Sequence, residues 1–277
     1  VITRTDDPRL VLARRSVGPV TIIAEPGLPD RVLHLADSRG TRYFAKQHHQ
    51  PARFTQEVNA YAGWARHLAA RTPDLVAQHH ADLVLLITAV PGRRANTLPP
   101  GSDAEQLAHR AAGAALRALH TATAITDPDL CSKISSRLRT WIAKAHQAEL
   151  LSAREHQTLS EAADQLTHQR MEAAVCHLDY QPRNWCVGKT LAVVDFEHSR
   201  PDARIRDLAR LAFRHWPRSP HLRQAFLSGY GCLTSVEENL LHLFAAYEAV
   251  TALVRGHENA DRDLSAHGRA TLARLLP

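Results

Sequence analysis

His177-Leu178-Asp179-Tyr180-Gln181-Pro182-Arg183-Asn184 is followed, after two short apolar runs, by Asp195-Phe196-Glu197. The runs, Trp185-Cys186-Val187 and Leu191-Ala192-Val193-Val194, read as a hairpin turning at Gly188-Lys189, with Ala173-Ala174-Val175-Cys176 as a strand leading in. Polar residues delivered directly after apolar strands stand on the rim of a cleft. Asp179 can accept a hydrogen bond from a hydroxyl, orient its oxygen and take its proton as a phosphoryl group is transferred. Asn184 offers a neutral amide oxygen to Mg²⁺ and Asp195 an anionic one, the charge-neutralising work phosphoryl transfer requires. His177 is expected to brace the loop. Pro182 restricts the turn before Asn184, and Tyr180 packs or touches substrate.

Upstream, the first third alternates extended signals with turns. Val20-Thr21-Ile22-Ile23, Arg31-Val32-Leu33-His34-Leu35 and Thr41-Arg42-Tyr43-Phe44-Ala45-Lys46 read as strands. Breakers separate them at Glu25 to Asp30 and at Asp37-Ser38-Arg39-Gly40, the pattern of a small antiparallel sheet. From about residue 52, Phe54, Val58, Tyr61, Ala65 and Leu68 form one apolar helical stripe. Glu57 lies beside that stripe. A sheet packed on this helix could bring its carboxylate to Lys46 and hold the ammonium towards the α- and β-phosphates of a nucleotide. Taken alone, the two read as an ordinary surface lysine and helix glutamate.

Asp82 to Val90 is an apolar run too short to span a membrane and reads as a buried strand, stopped by Pro91-Gly92. Residues 1–92 are therefore expected to form an N-terminal nucleotide-binding lobe with its linker strand, the connection running on through Pro99-Pro100-Gly101. Residues 93–277 would form the C-terminal catalytic and acceptor-binding lobe. Helices are predicted over 104–120, with Leu107, Ala111, Ala115 and Leu119 as a face, and over 134–150, 153–170 and 236–256. Leu240, Phe244, Tyr247 and Thr251 give the last of these a packing face.

With 277 residues, 44% apolar and 22% charged, the chain is neither disordered nor fibrous. No segment approaches 18 uninterrupted apolar residues, and Val1 to Pro8 lacks the apolar core of a secretory signal. Cys131, Cys176, Cys186 and Cys232 have neither metal-site nor disulfide-framework spacing, so buried free thiols are expected. Together these features point to a cytoplasmic protein. The net charge of +6 comes without a nucleic-acid-binding motif, so no nucleic-acid partner is expected. His48-His49 and His79-His80 are adjacent and would point different ways, which speaks against a metal there.

The His–x–Asp–four residues–Asn spacing, followed by an aspartate ending an apolar strand, resembles the catalytic segment of the aminoglycoside phosphotransferase and choline-kinase-like family, distantly related to protein kinases. The resemblance implies an α+β, bilobal protein-kinase-like fold with an antiparallel-sheet N-terminal lobe and a mainly helical C-terminal lobe. It makes Asp179 the catalytic aspartate, Asn184 and Asp195 the magnesium ligands, and Glu197 a support for a second metal or the acceptor. Phe44-Ala45-Lys46 with Glu57 resembles the nucleotide-anchoring pair. Leu85 to Gly92 resembles the inter-lobe strand, where backbone groups around Ala89 would meet adenine. Leu116-Arg117-Ala118-Leu119-His120 resembles a helix end common in these enzymes, and Asp207 of Arg206-Asp207-Leu208-Ala209-Arg210 would brace the catalytic loop. The likeness covers residues 20–216.

Three departures stand out: Leu178 and Arg183 where the family often has glycine, and Pro26-Gly27-Leu28-Pro29 in place of a glycine-rich phosphate loop. Asp195-Phe196-Glu197 without an activation segment disfavours a regulated protein kinase. The resemblance implies ATP or GTP as donor, Mg²⁺, and a small hydroxyl-bearing substrate, with no membrane partner; the oligomeric state is not legible. Residues 221–277 carry six Asp/Glu (Glu237, Glu238, Glu248, Glu258, Asp261 and Asp263) against five arginines, in a chain of net charge +6. That contrast admits a cationic acceptor, such as an aminoglycoside or another cationic antibiotic phosphorylated in self-protection or resistance. A primary-metabolite alcohol is the alternative acceptor, and a nucleotide-binding pseudokinase the non-enzymatic reading.

Overall fold

The computed structural model describes residues 7–276; the expectation about a signal over residues 1–6 lies outside them. The chain opens with a helix not expected from the sequence, α1 (Pro8–Val17). Its signal was present in Asp7-Pro8: the Asp7 carboxylate accepts from the Arg9 N–H as N-cap, and proline takes the first helical position. Leu10 and Ala13 bury its inner face against Leu35, Tyr43, Ala45 and Leu86.

The sheet comprises β1 (Val20–Ile23), β2 (Val32–Asp37), β3 (Arg42–Gln47), β4 (Leu75–His79) and β5 (Val84–Thr88), in the order β1-β2-β3-β5-β4, antiparallel throughout. The β2–β3 turn is held by Asp37, whose carboxylate accepts from Arg39 N, Thr41 N and the Tyr43 hydroxyl. β4 escapes a reading by pattern because it is an edge strand whose side chains are all exposed or half-exposed.

On the sheet lies α2 (Pro51–Ala62), burying Phe54 and Val58 against Leu85 and Ile87. The predicted stripe does reach buried Ala65 and Leu68, but the helix stops at Gly63 and a 3₁₀ turn, Trp64–His67, carries it on.

After a two-residue strand, β6 (Arg93–Arg94), the helical lobe contains α3 (Asp103–Ala122), α4 (Leu130–Gln147) and α5 (Ala153–Thr167). There follow β7 (Ala173–Cys176), β8 (Trp185–Val187), β9 (Leu191–Val193) and β10 (Arg200–Ala203), then α6 (Arg206–Arg210), α7 (Pro220–Tyr230), α8 (Ser235–Glu258) and α9 (Arg262–Ala273). β8 and β9 form the expected hairpin, and β6 adds to its edge. β10 pairs with β7.

The α3 face departs from expectation: Leu107 is 65% exposed and Ala111 is exposed, while Ala108, Ala112, Ala115, Leu116 and Leu119 are buried. Steps of four residues drift by about 40° each around a helix of 3.6 residues per turn, so a strict four-residue series cannot stay on one face. α3 and α7 meet backbone to backbone. A Cβ at Gly113 would stand 2.1 Å from the Phe226 carbonyl oxygen, and one at Gly229 2.0 Å from that of Arg110.

α8 is buried along most of its length and forms the centre of the helical lobe. Its predicted face is there: Leu240, Phe244 and Tyr247 are buried and Thr251 is half-buried. Cys176 and Cys186 are buried free thiols and Cys131 is half-buried, but Cys232 is exposed, contrary to expectation. No described helix is long and apolar enough to cross a membrane.

Candidate active site

β3 carries Lys46 and α2 carries Glu57, and packing one on the other buries both, at 6% and 1% exposure. The Lys46 ammonium lies 2.8 Å from Glu57 Oε2, 2.5 Å from Asp195 Oδ1 and 2.9 Å from Glu197 Oε2. Its three donors thus have three carboxylates. Burial alone would depress the Lys46 pKa, but these carboxylates outweigh it and raise the group above its ordinary range. Burial likewise pushes the Asp195 carboxyl up, and Lys46 more than reverses that, holding it well below the usual carboxylate range.

Glu197 is drawn to this cluster, where Arg31 also reaches it at 2.8 Å. It therefore shares the Lys46 ammonium with Asp195. His48 Nε2 stands 2.8 Å from Glu57, whereas His49 is exposed, so the adjacent pair does point two ways. His48, Glu57 and Glu197 are close enough to share an ion, but the Lys46 ammonium already bonds both carboxylates.

The loop from His177 to Asn184 hangs between β7 and β8. His177 is fully buried, and burial lowers its pKa and keeps the ring neutral. Nε2 lies 3.1 Å from the Val194 carbonyl and Nδ1 accepts from Asp179 N at 3.3 Å, which fixes the Nε2–H tautomer and leaves neither nitrogen free. Asp207, on α6, accepts from His177 N at 2.8 Å and from Leu178 N at 2.5 Å. His120 Nε2 meets the same carboxylate at 3.0 Å, and its Nδ1 meets the Tyr230 hydroxyl at 2.9 Å. One buried carboxylate thus ties the loop to α3 and α7.

That hold matters because Leu178 has φ +62° and Asp195 φ +69°, left-handed values that cost a non-glycine residue roughly 1–3 kcal/mol each. Leu178→Gly removes this strain but adds unfolded-state entropy, so stability is expected to stay within about 1 kcal/mol of the parent. A urea melt checks it; a loss well beyond that would mean the leucine side chain, and not the backbone, is what the position requires.

Asp179 is 1% exposed. Gln181 Nε2 donates to Oδ1 at 2.7 Å, Arg183 to Oδ2 at 2.9 Å and Asn184 Nδ2 to Oδ2 at 2.7 Å, and Arg210 pairs with Oδ1. Four donors fill the roughly four lone-pair positions of the carboxylate. Arg183 and Arg210 in this role were not read from the sequence. The available signal for Arg210 was its position one helical turn after Asp207.

Asn184 also donates to the Asp179 carbonyl at 2.9 Å. With its nitrogen committed, its oxygen is the atom left for a ligand. Asn184, Asp195, Lys46 and Glu57 all belong to the wall of a 370 Å³ cleft between the lobes. Leu28 and Pro29, from the glycine-poor β1–β2 connection, cover one side, and Ile87, Thr88 and Val90 line another. Ala89, expected at the adenine, spends its N–H on the Arg42 carbonyl at 2.9 Å. Its neighbours Thr88 and Val90 belong to the cleft wall.

The C-terminal acidic residues are mostly engaged elsewhere. Glu237 completes a capping box and pairs with Arg204, Glu238 pairs with Arg223, and Asp261 caps α9. Glu258 and Asp263 are exposed.

A five-stranded antiparallel sheet over a helical lobe, with a lysine–glutamate pair and an aspartate–asparagine loop at their junction, defines a bilobal kinase-like protein. The chain belongs to the phosphotransferase enzyme family, whose profile matches residues 21–250, and acts as a nucleotide-dependent phosphotransferase on a small molecule. Its fold is similar to macrolide 2'-phosphotransferase type I, at 18% identity and TM-score 0.66, covering 100% of this chain and 99% of that one. It is similar also to macrolide 2'-phosphotransferase MphH from Brachybacterium faecium, at 17% identity and TM-score 0.64, covering 98% and 97%. A third likeness is to the GDP and kanamycin complex of APH(2")-IIia, at 13% identity and TM-score 0.67, covering 96% and 97%. No curated protein matches the chain. At these identities the structural likeness is one of fold.

Proposed function

We propose that this chain transfers the γ-phosphoryl group of ATP or GTP to a hydroxyl of a small molecule, with magnesium. The observation that carries this reading is the convergence of Lys46, Glu57, Asn184 and Asp195 on one cleft, with Asp179 2.7 Å behind Asn184. The purine would lie against Ile87, Thr88 and Val90, and the phosphates would reach Lys46, displacing part of its carboxylate shell. An amide oxygen from Asn184 and a carboxylate oxygen from Asp195 make a hard-oxygen donor set suited to Mg²⁺. When bound there, the ion supplies charge neutralisation for the phosphates.

Asp179 orients the acceptor hydroxyl and takes its proton. The acceptor oxygen bonds to the γ-phosphorus, the bond to the β–γ bridging oxygen breaks, and a nucleoside diphosphate leaves. His177, with both nitrogens engaged, and Asp207 hold the loop in place. A primary-metabolite alcohol is one narrower form of the proposal, and an antibiotic acceptor, in self-protection or resistance, is the other. Its support is the macrolide and aminoglycoside substrates named for the proteins of similar fold.

Asp195→Asn is expected to weaken magnesium-dependent nucleotide binding by at least about tenfold, since it removes the one anionic oxygen of the donor set. Titration calorimetry with ATP and GTP, with and without Mg²⁺, measures it. Equal magnesium dependence in both proteins would remove Asp195 from the metal site. Product masses from a panel of hydroxyl-bearing antibiotics and metabolites test the reaction itself. Nucleotide binding without any product would favour the pseudokinase alternative.

A further inference from the structure

Beside Asp179, and sharing no wall residue with the nucleotide cleft, lies a second cavity of 240 Å³. Leu178, next to Asp179, and Arg210, which grips the Asp179 carboxylate, are both in its wall. Arg53, Arg137, Arg200, Arg206 and Arg255 join them, and the only acid in the lining is Glu248. Resting on the phosphotransferase reading above, we infer that the acceptor is a small hydroxyl compound bearing a carboxylate or phosphate group, held in this arginine-lined cavity.

The charge accounting supports an anion. Asp202, 1% exposed, serves Arg137, Arg200 and Arg206 together. Glu248 is committed to Arg214 and His267. Arg53 meets the Glu197 carbonyl and the His198 ring, and Arg255 lies over Trp141 at 5.5 Å. Among the described residues neither arginine has a carboxylate within ion-pair distance. Burial, followed by the repulsion of Arg53, pushes His198 down to about 3, so this ring adds no charge of its own. Arg210 is lowered to about 10 by burial and by the neighbouring Arg214, Arg255 and Arg53, partly offset by Glu248. Guanidinium groups gathered around one cavity are the donors that carboxylates and phosphates pair with in bidentate geometry. A polycation entering here would meet like charge on nearly every side.

Arg210 also links occupancy to chemistry. It holds Asp179 Oδ1 and lines the cavity, so an anion that pairs with it would loosen its grip on the base. That frees a lone pair for the acceptor hydroxyl, whose proton then passes to Asp179 as the oxygen bonds to the γ-phosphorus and the nucleoside diphosphate departs. The cavity also falls short of the roughly 300–1,000 Å³ typical of drug-sized ligand sites, so it suits a small acid better than a macrolide.

The test fills the nucleotide cleft with Mg²⁺ and a non-hydrolysable ATP analogue, then titrates glucose, gluconate, glucose 6-phosphate and kanamycin calorimetrically. At least one of the two acids is expected to bind at least about tenfold more tightly than glucose or kanamycin, and which acid does so separates carboxylate from phosphate recognition. The double variant Arg53→Gln/Arg255→Gln should lose that advantage while keeping the affinity for the ATP analogue, which also reports its folding. Three results would overturn the inference: neither acid binds, kanamycin or glucose binds as tightly, or the variant retains acid affinity. Absence of magnesium-dependent binding of both the ATP analogue and its GTP counterpart to the parent protein would instead sink the phosphotransferase reading, leaving the acid preference standing.

Discussion

Asp179→Asn is expected to lower kcat by about 10²–10⁴, the usual contribution of a positioned general base, with nucleotide affinity unchanged within about twofold. The separation follows from position. Asp179 lies behind Asn184, which is in the cleft wall, so a nucleotide can bind without touching it. The amide cannot take a proton from the acceptor. It also turns an NH₂ group towards donors, since Gln181, Arg183, Asn184 and Arg210 all point at this side chain. Stability should therefore fall by about 1–3 kcal/mol, the cost of leaving a buried polar group mispaired. Steady-state kinetics against a confirmed acceptor, with parallel urea melts, reads both effects. Undiminished kcat in the variant would take the base role away from Asp179.

Asp207→Ala is expected to be the most damaging single change to the fold of the site. Asp207 is 1% exposed and accepts from His177 N, Leu178 N and His120. Its removal orphans three buried donors and releases a loop that contains a left-handed leucine. Hydrogen bonds to a charged group contribute about 1.5–3 kcal/mol each, and partial rehydration reduces the sum, so a loss of about 3–5 kcal/mol is expected. That corresponds to a fall in Tm on the order of 10 °C for a chain of this size. Differential scanning calorimetry decides it. Asp207→Asn, which keeps an acceptor oxygen, should recover part of the loss; a variant as stable as the parent would show that the loop is braced elsewhere.

Much of this was legible along the chain. The spacing from His177 to Asn184, the hairpin that follows and the aspartate at its end are local, because a strand can deliver only the residue that follows it. Lys46 and Glu57 were legible as candidates, one at a strand end and one beside an apolar stripe. Their 2.8 Å contact depends on α2 packing across the sheet, and no periodicity reports that. The same holds for Glu197, whose place beside Lys46 and Arg31 is set by how the two lobes meet.

Charge shows the limit most clearly. Counted along the sequence, residues 221–277 are slightly acidic, which admitted a cationic acceptor. In three dimensions Glu237, Glu238 and Asp261 serve helix caps and surface pairs and Glu248 is the one acid in the cavity wall, while arginines from α2, α4, α6, α8 and the β10 region gather around that cavity. Local order therefore determined the Asp179, Asn184 and Asp195 constellation proposed for phosphoryl transfer, since its spacing lies within one loop and one hairpin. The character of the cavity proposed for the acceptor was decided only by tertiary structure, because its wall is assembled from residues as far apart as Arg53 and Arg255, and the net charge of a segment does not say which way its side chains face.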